Sequence, residues 1–357
     1  MSGGVDSAVA ALLLLRRGYR VSGLFMKNWE EDDSRDQCTA EEDLRAARAA
    51  CDHLGIPLRT VNLSHEYWER VFENFLAGYR AGRTPNPDVA CNTEIKFRAF
   101  LDHAMGLGAK FIATGHYARV AHTPPGVRLL KGRDADKDQS YFLHALSSLQ
   151  LDRVLFPLGN LEKRQVRALA RETGLPNHDR KDSTGICFIG ERRFREFLGH
   201  YVPGEPGDIV STGGERMGRH GGLMFHTIGQ RKGLGIGGRR GAGEAPWYVV
   251  DKDTRHNRLI VAQGRDHPAM YRDQLIARDW HWISGRQPAL PLRCHVRIRH
   301  RQPVQPCTLD IEGEGAIRVR FDSPQRSVAP GQFAVAYLEE DCLGGGVIGH
   351  DPVSADG

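Results

Sequence analysis

No two of the seven cysteines, Cys38, Cys51, Cys91, Cys187, Cys294, Cys307 and Cys342, form a Cys-x-x-Cys pair, and their number is odd. This pattern argues against a structural zinc site and against a secreted disulfide framework, and it leaves thiols free for chemistry. Long apolar runs are missing too. None approaches the ~18 residues of a membrane span, and no charged-then-apolar leader precedes a cleavage site, so the expected location is the cytoplasm. Neither sign of charge dominates: 49 Lys and Arg against 44 Asp and Glu leave a formal +5. A polyanionic partner therefore has to be argued from where cations cluster. With 40% apolar and 26% charged residues over 357 positions, the composition suits a globular protein of two or three domains.

What is present starts at the first residues. Ser2-Gly3-Gly4-Val5-Asp6-Ser7 runs straight into the helix-like Ala8–Leu15. Adjacent glycines let the backbone turn so that several N–H groups point at one anion beside the positive end of a helix, which makes a phosphate cradle. The Gly-Lys-Ser/Thr ending of the common P-loop is lacking. Such a cradle sits where a strand feeds a helix, yet only Met1 precedes Ser2. A missing central strand leaves unpaired backbone groups at ~1–3 kcal/mol each if buried. The expectation is that Met1 is an internal methionine and that the functional start lies upstream.

The next elements alternate. Val21–Met26 reads as a strand, and the polar, acidic Lys27–Gln37 as a loop at its carboxyl end, where open α/β sheets bind ligands. Thr39 and Glu42 form a capping box for a helix carrying Leu44, Ala47, Cys51 and Leu54. A strand at 57–61 and an amphipathic helix from Tyr67 to Tyr79 follow, then a strand at Phe111–Thr114, a hairpin, and a helix Leu161–Thr173 capped by Asn160 and stopped by Gly174. Strand–helix alternation calls for a doubly wound parallel sheet. From Pro203 the chain turns to glycines and short β-like runs, including a Trp247–Val250/Arg258–Val261 hairpin and strands near 307–311, 316–321 and 332–338. The expected organisation is an α/β catalytic domain at 1–200, a small β-rich domain at 201–272 and a β-barrel at 273–357.

Several residues carry candidate chemistry. Pro85 and Pro87 stiffen the loop before Cys91, and Asn92 or Thr93 is placed to cap a helix beginning near Glu94. Cys91 then lies just ahead of a helix N-terminus, which favours thiolate. Gly115, at a strand's carboxyl end, permits close approach of a ligand. His116 beside it either contacts phosphate or base, or is a hydrogen-bonded loop histidine. Cys187, between apolar residues in a glycine-bracketed segment, is either a buried strand residue or a second thiol for sulfur chemistry. The odd positions of Arg293–Arg301 are all Arg or His. In a strand they would form one basic face able to track phosphates, or the solvated outside of a barrel. Residues 226–243, with His226, Gln230, Arg231, Lys232, Arg239 and Arg240 among glycines, suit a loop near an anionic partner.

The Ser2–Ser7 motif resembles the SGGxDS loop of the ATP pyrophosphatases. Taken with GLFMKNW at 23–29, TPNPDVACNTEIKF at 84–97, ATGHYAR at 113–119, KDQSYFL at 137–143, DSTGICFIG at 182–190 and HTIGQRKGLGI at 226–236, it resembles the tRNA-specific 2-thiouridylase family over nearly the whole chain. The resemblance implies binding of ATP at Ser2, Gly3, Gly4, Val5, Asp6, Ser7, Met26 and Gly115, with Asp6 holding Mg2+ or, alternatively, capping its helix. It also implies a Cys187 persulfide charged by a sulfur-donor protein, Cys91 as nucleophile, and a Cys91–Cys187 disulfide as product. Asn86, Pro87 and Asp88 would meet the target base. His116, Lys137, Asp138, Gln139, Arg299, His300 and Gln332 would meet the tRNA. The rivals are an ammonia-using ATP pyrophosphatase, which has no use for two loop cysteines, and an RNA-binding protein without catalysis.

Overall fold

Helix α1, Val5–Arg16, springs directly from the glycine turn. Its small inner face, Val5, Ala8, Val9 and Ala10, packs on Tyr117, Leu158, Val166, Ala170 and Leu175. The coordinates are a computed structural model, and the structure describes residues 1–29, 39–124, 126–182, 194–236 and 245–349. Strand β1, Gly23–Lys27, is followed by helix α2, Thr39–Leu54, and strand β2, Leu58–Asn62, which pairs with β1 in parallel from Gly23↔Leu58 to Lys27↔Asn62. Gly23 is demanded by packing, since a Cβ there would lie 2.6 Å from the Cys51 sulfur. The capping signal at Thr39 thus predicted where α2 begins.

Helix α3 covers residues 64–80 and α4 residues 87–106; α4 winds as π-helix over Cys91–Ala99 and kinks at Phe97. Their buried faces belong to core clusters other than that of α1. Tyr67, Val71, Phe72, Phe75 and Leu76 of α3 bury together with Trp29, Cys91 and Ile95. The ring pairs are close, Trp29–Phe72 at 4.8 Å, and each fully buried aromatic of this kind contributes ~1.5–3 kcal/mol. Strand β3, Ile112–Ala113, precedes the hairpin β4, Ala118–Thr123, and β5, Gly126–Lys131; β3 pairs in parallel with β6, Val154–Leu155. Among the described residues of the α/β part the parallel strands form two pairs, β1–β2 and β3–β6, with no hydrogen bonding between pairs.

Helix α5, Lys163–Glu172, starts two residues later than its sequence suggested. Its cap is Glu162 rather than Asn160, in a capping box with Gln165, whose side chain accepts from the Glu162 N–H at 2.8 Å. Gly174, at φ +67°, ends it as expected. Helix α6, Phe194–Tyr201, leads into a sheet of β7 (Gly207–Ser211), β8 (Arg216–His220), β9 (Trp247–Asp253) and β10 (Arg258–Gln263), ordered β8-β7-β10-β9 around Ile209, Val249, Leu259 and Val261. The last six strands are β11 (Tyr271–Trp282), β12 (Leu292–Arg297), β13 (Gln305–Gly313), β14 (Ala316–Arg326), β15 (Phe333–Leu338) and β16 (Asp341–Ile348). They run β11-β14-β13-β12-β15-β16, and β16 returns to β11, closing a six-stranded barrel. The β4–β5 hairpin of the α/β part extends this sheet, Leu129 and Leu130 pairing with Cys342 and Asp341. No helix among the described residues is long and apolar enough to cross a membrane.

The expected basic stripe does not form. Strand β12 stops at Arg297, whose side chain turns inward, leaving the residue 9% exposed. Arg299 instead donates to the carbonyls of Ile228 at 3.0 Å and Ser327 at 2.9 Å. Arg293 remains outside, paired with Asp322. Each of these Arg side chains is engaged by an acceptor distant in sequence, and the period-2 pattern ended with the strand.

Candidate functional site

The turn ahead of α1 is held open by its own side chains and clamped from behind. Gly3 sits at φ +79°, a conformation that disfavours other residues. Ser7 Oγ donates to the Gly4 carbonyl at 3.0 Å, and the Ser2 N–H donates to Ser7 Oγ at 3.2 Å. Asn177 Nδ2 and Arg180 Nη1 both donate to the Gly3 carbonyl, at 2.8 and 3.2 Å, while Arg180 Nη2 pairs with Asp43 at 2.5 Å. With Gly4 at the N-cap and no side chain capping it, the first N–H groups of α1 keep their capacity for an anion. Gly115 backs onto this turn: a Cβ there would fall 2.8 Å from the Asp6 carbonyl carbon and 3.0 Å from the Ser7 nitrogen. The structure thus brings Ser2–Ser7 and Gly115 together, and Met26 lies at the carboxyl end of β1.

Asp6 is the hub of a charge network that its sequence did not disclose. Lys163, the first residue of α5, lies 2.8 Å from both Asp6 carboxylate oxygens, and the Tyr117 hydroxyl donates to one of them at 2.9 Å. The same ammonium reaches Asp182 at 2.7 Å, and Arg167 and Lys137 hold Asp182 at 2.7 and 2.9 Å. Burial pushes the Asp182 carboxyl up, but hydrogen bonds from Lys163 and Lys137 outweigh it and bring it down to about 2. Burial, then the neighbouring Asp6, raises the Tyr117 phenol, so it stays a neutral donor. Magnesium takes one or two carboxylates plus substrate phosphates, and Asp6 and Asp182, with the Lys163 ammonium between them, are the carboxylates at the turn. Lys163, Asp182, Asn177 and Arg180 were missed because only the fold brings them to the turn.

Cys91 is fully buried, and here the structure corrects the sequence reading. Helix α4 begins at Pro87, not near Glu94, and its cap is Asn86, whose Oδ1 accepts from the Asp88 N–H at 3.1 Å. Proline at the first helical position and Asn at the cap is the ordinary signal for a helix start. Asn92 and Thr93 lie inside the helix, where the Thr93 hydroxyl donates to the Val89 carbonyl. Cys91 sits one turn into α4, past the first-turn N–H groups where the dipole acts most strongly. Cys187 and the rest of residues 183–193, along with Cys38, Arg239 and Arg240, lie outside the described residues, so a Cys91–Cys187 pairing has no geometry here.

The residues expected at RNA mostly serve as joints. Asp138 is 3% exposed, accepting from the Gly132 and Ser140 backbone, from Ser140 Oγ and from Arg297. It faces the interior rather than a partner. Gln139 Oε1 accepts from the Tyr117 N–H, and the His300 ring packs tilted against Phe142, centroids 4.4 Å apart, with Nε2 at the Asp138 carbonyl. Gln332 Nε2 donates to the Thr84 carbonyl at 2.7 Å, and Thr84 N–H donates to the Pro330 carbonyl. These contacts tie the barrel to the loop that carries Asn86, Pro87 and Asp88. A cavity between α3, that loop and the barrel is lined by Gly78, Arg83, Asn86, Pro87, Gly331 and Phe333. His116, half-buried against Phe97 and Phe156, is held well below the ordinary imidazole range by burial and by Lys96, and its Nδ1 meets Thr114 Oγ1 at 2.7 Å. Lys137 is spoken for by Asp182.

A clamped glycine turn on an α/β unit with two β modules behind it defines a HUP-domain nucleotide-binding protein. Residues 1–191 match the family described as tRNA methyl transferase HUP domain, 195–263 the tRNA methyl transferase PRC-barrel domain, and 272–348 the aminomethyltransferase beta-barrel domain. The tRNA-specific 2-thiouridylase MnmA of Methylococcus capsulatus is 59% identical over 98% of this chain and 94% of its own length. Those of Pseudomonas fluorescens and Acinetobacter baumannii are 59% and 57% identical, each over 98% of this chain and over 92% and 96% of their own lengths. The chain belongs to the tRNA-specific 2-thiouridylase MnmA family.

Proposed function

We propose that this chain is an ATP-dependent tRNA-uridine 2-sulfurtransferase that replaces the 2-oxygen of the wobble uridine, position 34, with sulfur, in the cytoplasm. ATP supplies activation: AMP transferred to the uracil 2-oxygen makes that atom a leaving group, with release of pyrophosphate. The chain's own residues do the positioning. The Ser2–Ser7 turn and Gly115 cradle the phosphates, Lys163 and Asp6 balance charge there with magnesium, and Met26 lies toward the base. Asn86, Pro87 and Asp88 hold the target uracil beside Cys91. Lys137, Gln139, His116, Arg299, His300 and Gln332 orient the tRNA, directly or by fixing the joints they occupy, and Asp138 acts only through the joint.

On this reading a donor protein loads Cys187 with a terminal sulfur. That sulfur forms the new bond to carbon 2 as the oxygen departs with AMP, and Cys91 takes the remaining Cys187 sulfur to give a disulfide that an external reductant reopens. Residues 1–200 carry the chemistry, while 201–272 and 273–357 grip RNA. The observation that supports the reading is the close packing of Gly115 against the turn at Asp6 and Ser7, in a chain that matches thiouridylases along almost its whole length. Incubation with ATP, magnesium, a sulfur-donor protein carrying a persulfide and unmodified tRNA, with no free sulfide added, followed by nucleoside analysis, tests it. The expected result is 2-thiouridine from the native chain and none from Cys91→Ser or Cys187→Ser, with Cys51→Ala and Cys342→Ala active. Product from either loop-cysteine variant refutes the two-thiol scheme.

A further inference from the structure

Among the described residues nine buried side-chain polar atoms lack a hydrogen-bond partner, and three of them belong to two consecutive residues, Asn28 and Trp29. Both polar atoms of the Asn28 carboxamide, Oδ1 and Nδ2, are unpartnered although the residue is 2% exposed, and the Trp29 indole N–H beside them is unpartnered at 8% exposure. Buried carboxamides are ordinarily satisfied, because an unmet donor or acceptor in a dry site is costly. Asn28 follows directly on β1, whose last residue, Lys27, accepts from the Leu63 N–H. It is thus at the carboxyl end of a parallel strand, two residues on from Met26, the interval that returns side chains to one face of an extended chain. Trp29 anchors it against Tyr67, Trp68, Phe72 and Phe197. A buried amide with an unpartnered donor and an unpartnered acceptor, next in sequence to a residue held in an aromatic cluster, matches an edge that offers an acceptor and a donor side by side, as adenine does.

We propose that Asn28 is an adenine-reading residue, its carboxamide pairing with the 6-amino group and an adjacent ring nitrogen of bound ATP. The assignment rests on the reading of the Ser2–Ser7 turn as an ATP site. A group kept unsatisfied in the free protein for the sake of a ligand opposes stability and supports binding. Replacing it by an apolar group of similar shape separates the two effects.

Titration calorimetry with ATP and with purine riboside triphosphate, which lacks the 6-amino group, together with thermal melts of the ligand-free full-length chain, tests this. The native chain is expected to bind ATP at least tenfold more tightly than the deamino analogue. Asn28→Leu should lose at least tenfold in ATP affinity, show no preference between the two nucleotides, and melt at a higher temperature. Asn28→Asp, which keeps the acceptor for the 6-amino group but has no donor for the ring nitrogen, should bind both nucleotides more weakly and keep the preference for ATP. If the native chain binds ATP and Asn28→Leu keeps both affinity and preference, the assignment is overturned while the ATP site stands. If the native chain binds no ATP, the functional reading falls first and the assignment with it. If Asn28→Leu binds ATP normally but binds unmodified tRNA at least tenfold more weakly, adenine is overturned as the ligand in favour of a uracil edge.

Discussion

Arg297 of the barrel donates to Asp138 of the α/β unit at 3.1 Å, with the two side chains 11% and 2% exposed. Removing one partner of a buried pair leaves the other charged and dry, at a cost of about 3–5 kcal/mol. Arg297→Ala is therefore expected to lower the denaturant midpoint sharply. The salt dependence of tRNA binding, measured on the fraction that remains folded, should not change, because Arg297 does not face solvent. A log–log salt slope that flattens by a full phosphate contact, ~0.7–0.9, would return Arg297 to the RNA surface.

The Asp6–Lys163–Asp182 bridge carries a pH signature. Asp182 is held at about 2 in the folded chain, below its ordinary ~3.9. A depressed carboxyl contributes stability that is present above the unfolded value and lost as pH falls through the folded one. Denaturant midpoints should drop between roughly pH 4 and pH 2, and Asp182→Asn should have a flatter curve across that window. Equal slopes in native and variant proteins would show that the network is not formed in solution.

Gly115 has no positive φ to explain it, only proximity. A methyl group there meets backbone atoms of Asp6 and Ser7 at 2.8 to 3.0 Å, which cannot move aside as a flexible side chain would. Gly115→Ala should displace the turn and weaken ATP binding by at least tenfold, while α1 keeps the chain folded through its buried Ala8 and Val9 face. Calorimetry with ATP checks the first part and circular dichroism the second. Native affinity in the alanine variant would place the phosphates elsewhere.

Local patterns in the sequence carried the fold well where one element's own residues decide it. The Ser-Gly-Gly turn, the start of α2 at Thr39 and the β9–β10 hairpin each depend on neighbours in the chain, although the hairpin's turn falls at 254–257 rather than at 251–254, whose first three residues continue β9. Two caps were misplaced because a better cap stood close by: Asn86 with Pro87 outranks Asn92 or Thr93, and the Glu162–Gln165 box outranks Asn160. The alternating Arg and His of 293–301 imitated a strand face, but a period says nothing of where a strand stops or of an acceptor such as the Ser327 carbonyl, 28 positions away. The clamp on Gly3 by Asn177 and Arg180 joins residues about 175 apart in sequence; no spacing rule reaches that far.

Histidines held down by burial, His144 and His226 together with His116, set the acid limb of stability above the range of the carboxylates. Burial holds His144 down at about 4, with its Nδ1 at the Tyr141 carbonyl at 2.7 Å; burial, then His220, Arg195 and Lys252, holds His226 at about 4 as well. An unfolded histidine takes up its proton near 6.5, so between roughly pH 6.5 and 4 the unfolded chain binds protons that the folded chain refuses. Stability must then fall as pH falls through that interval. At ~1.4 kcal/mol per unit, His144 alone accounts for on the order of 3 kcal/mol across the window. His144→Gln, which keeps a donor for the Tyr141 carbonyl, should remove that share and leave the His226 share in place. Urea midpoints measured at pH 7.5, 6, 5 and 4 on both proteins decide it. If the variant loses as much stability as the native chain over that range, His144 is already protonated in the fold, and its burial against Phe333 is not what the structure indicates.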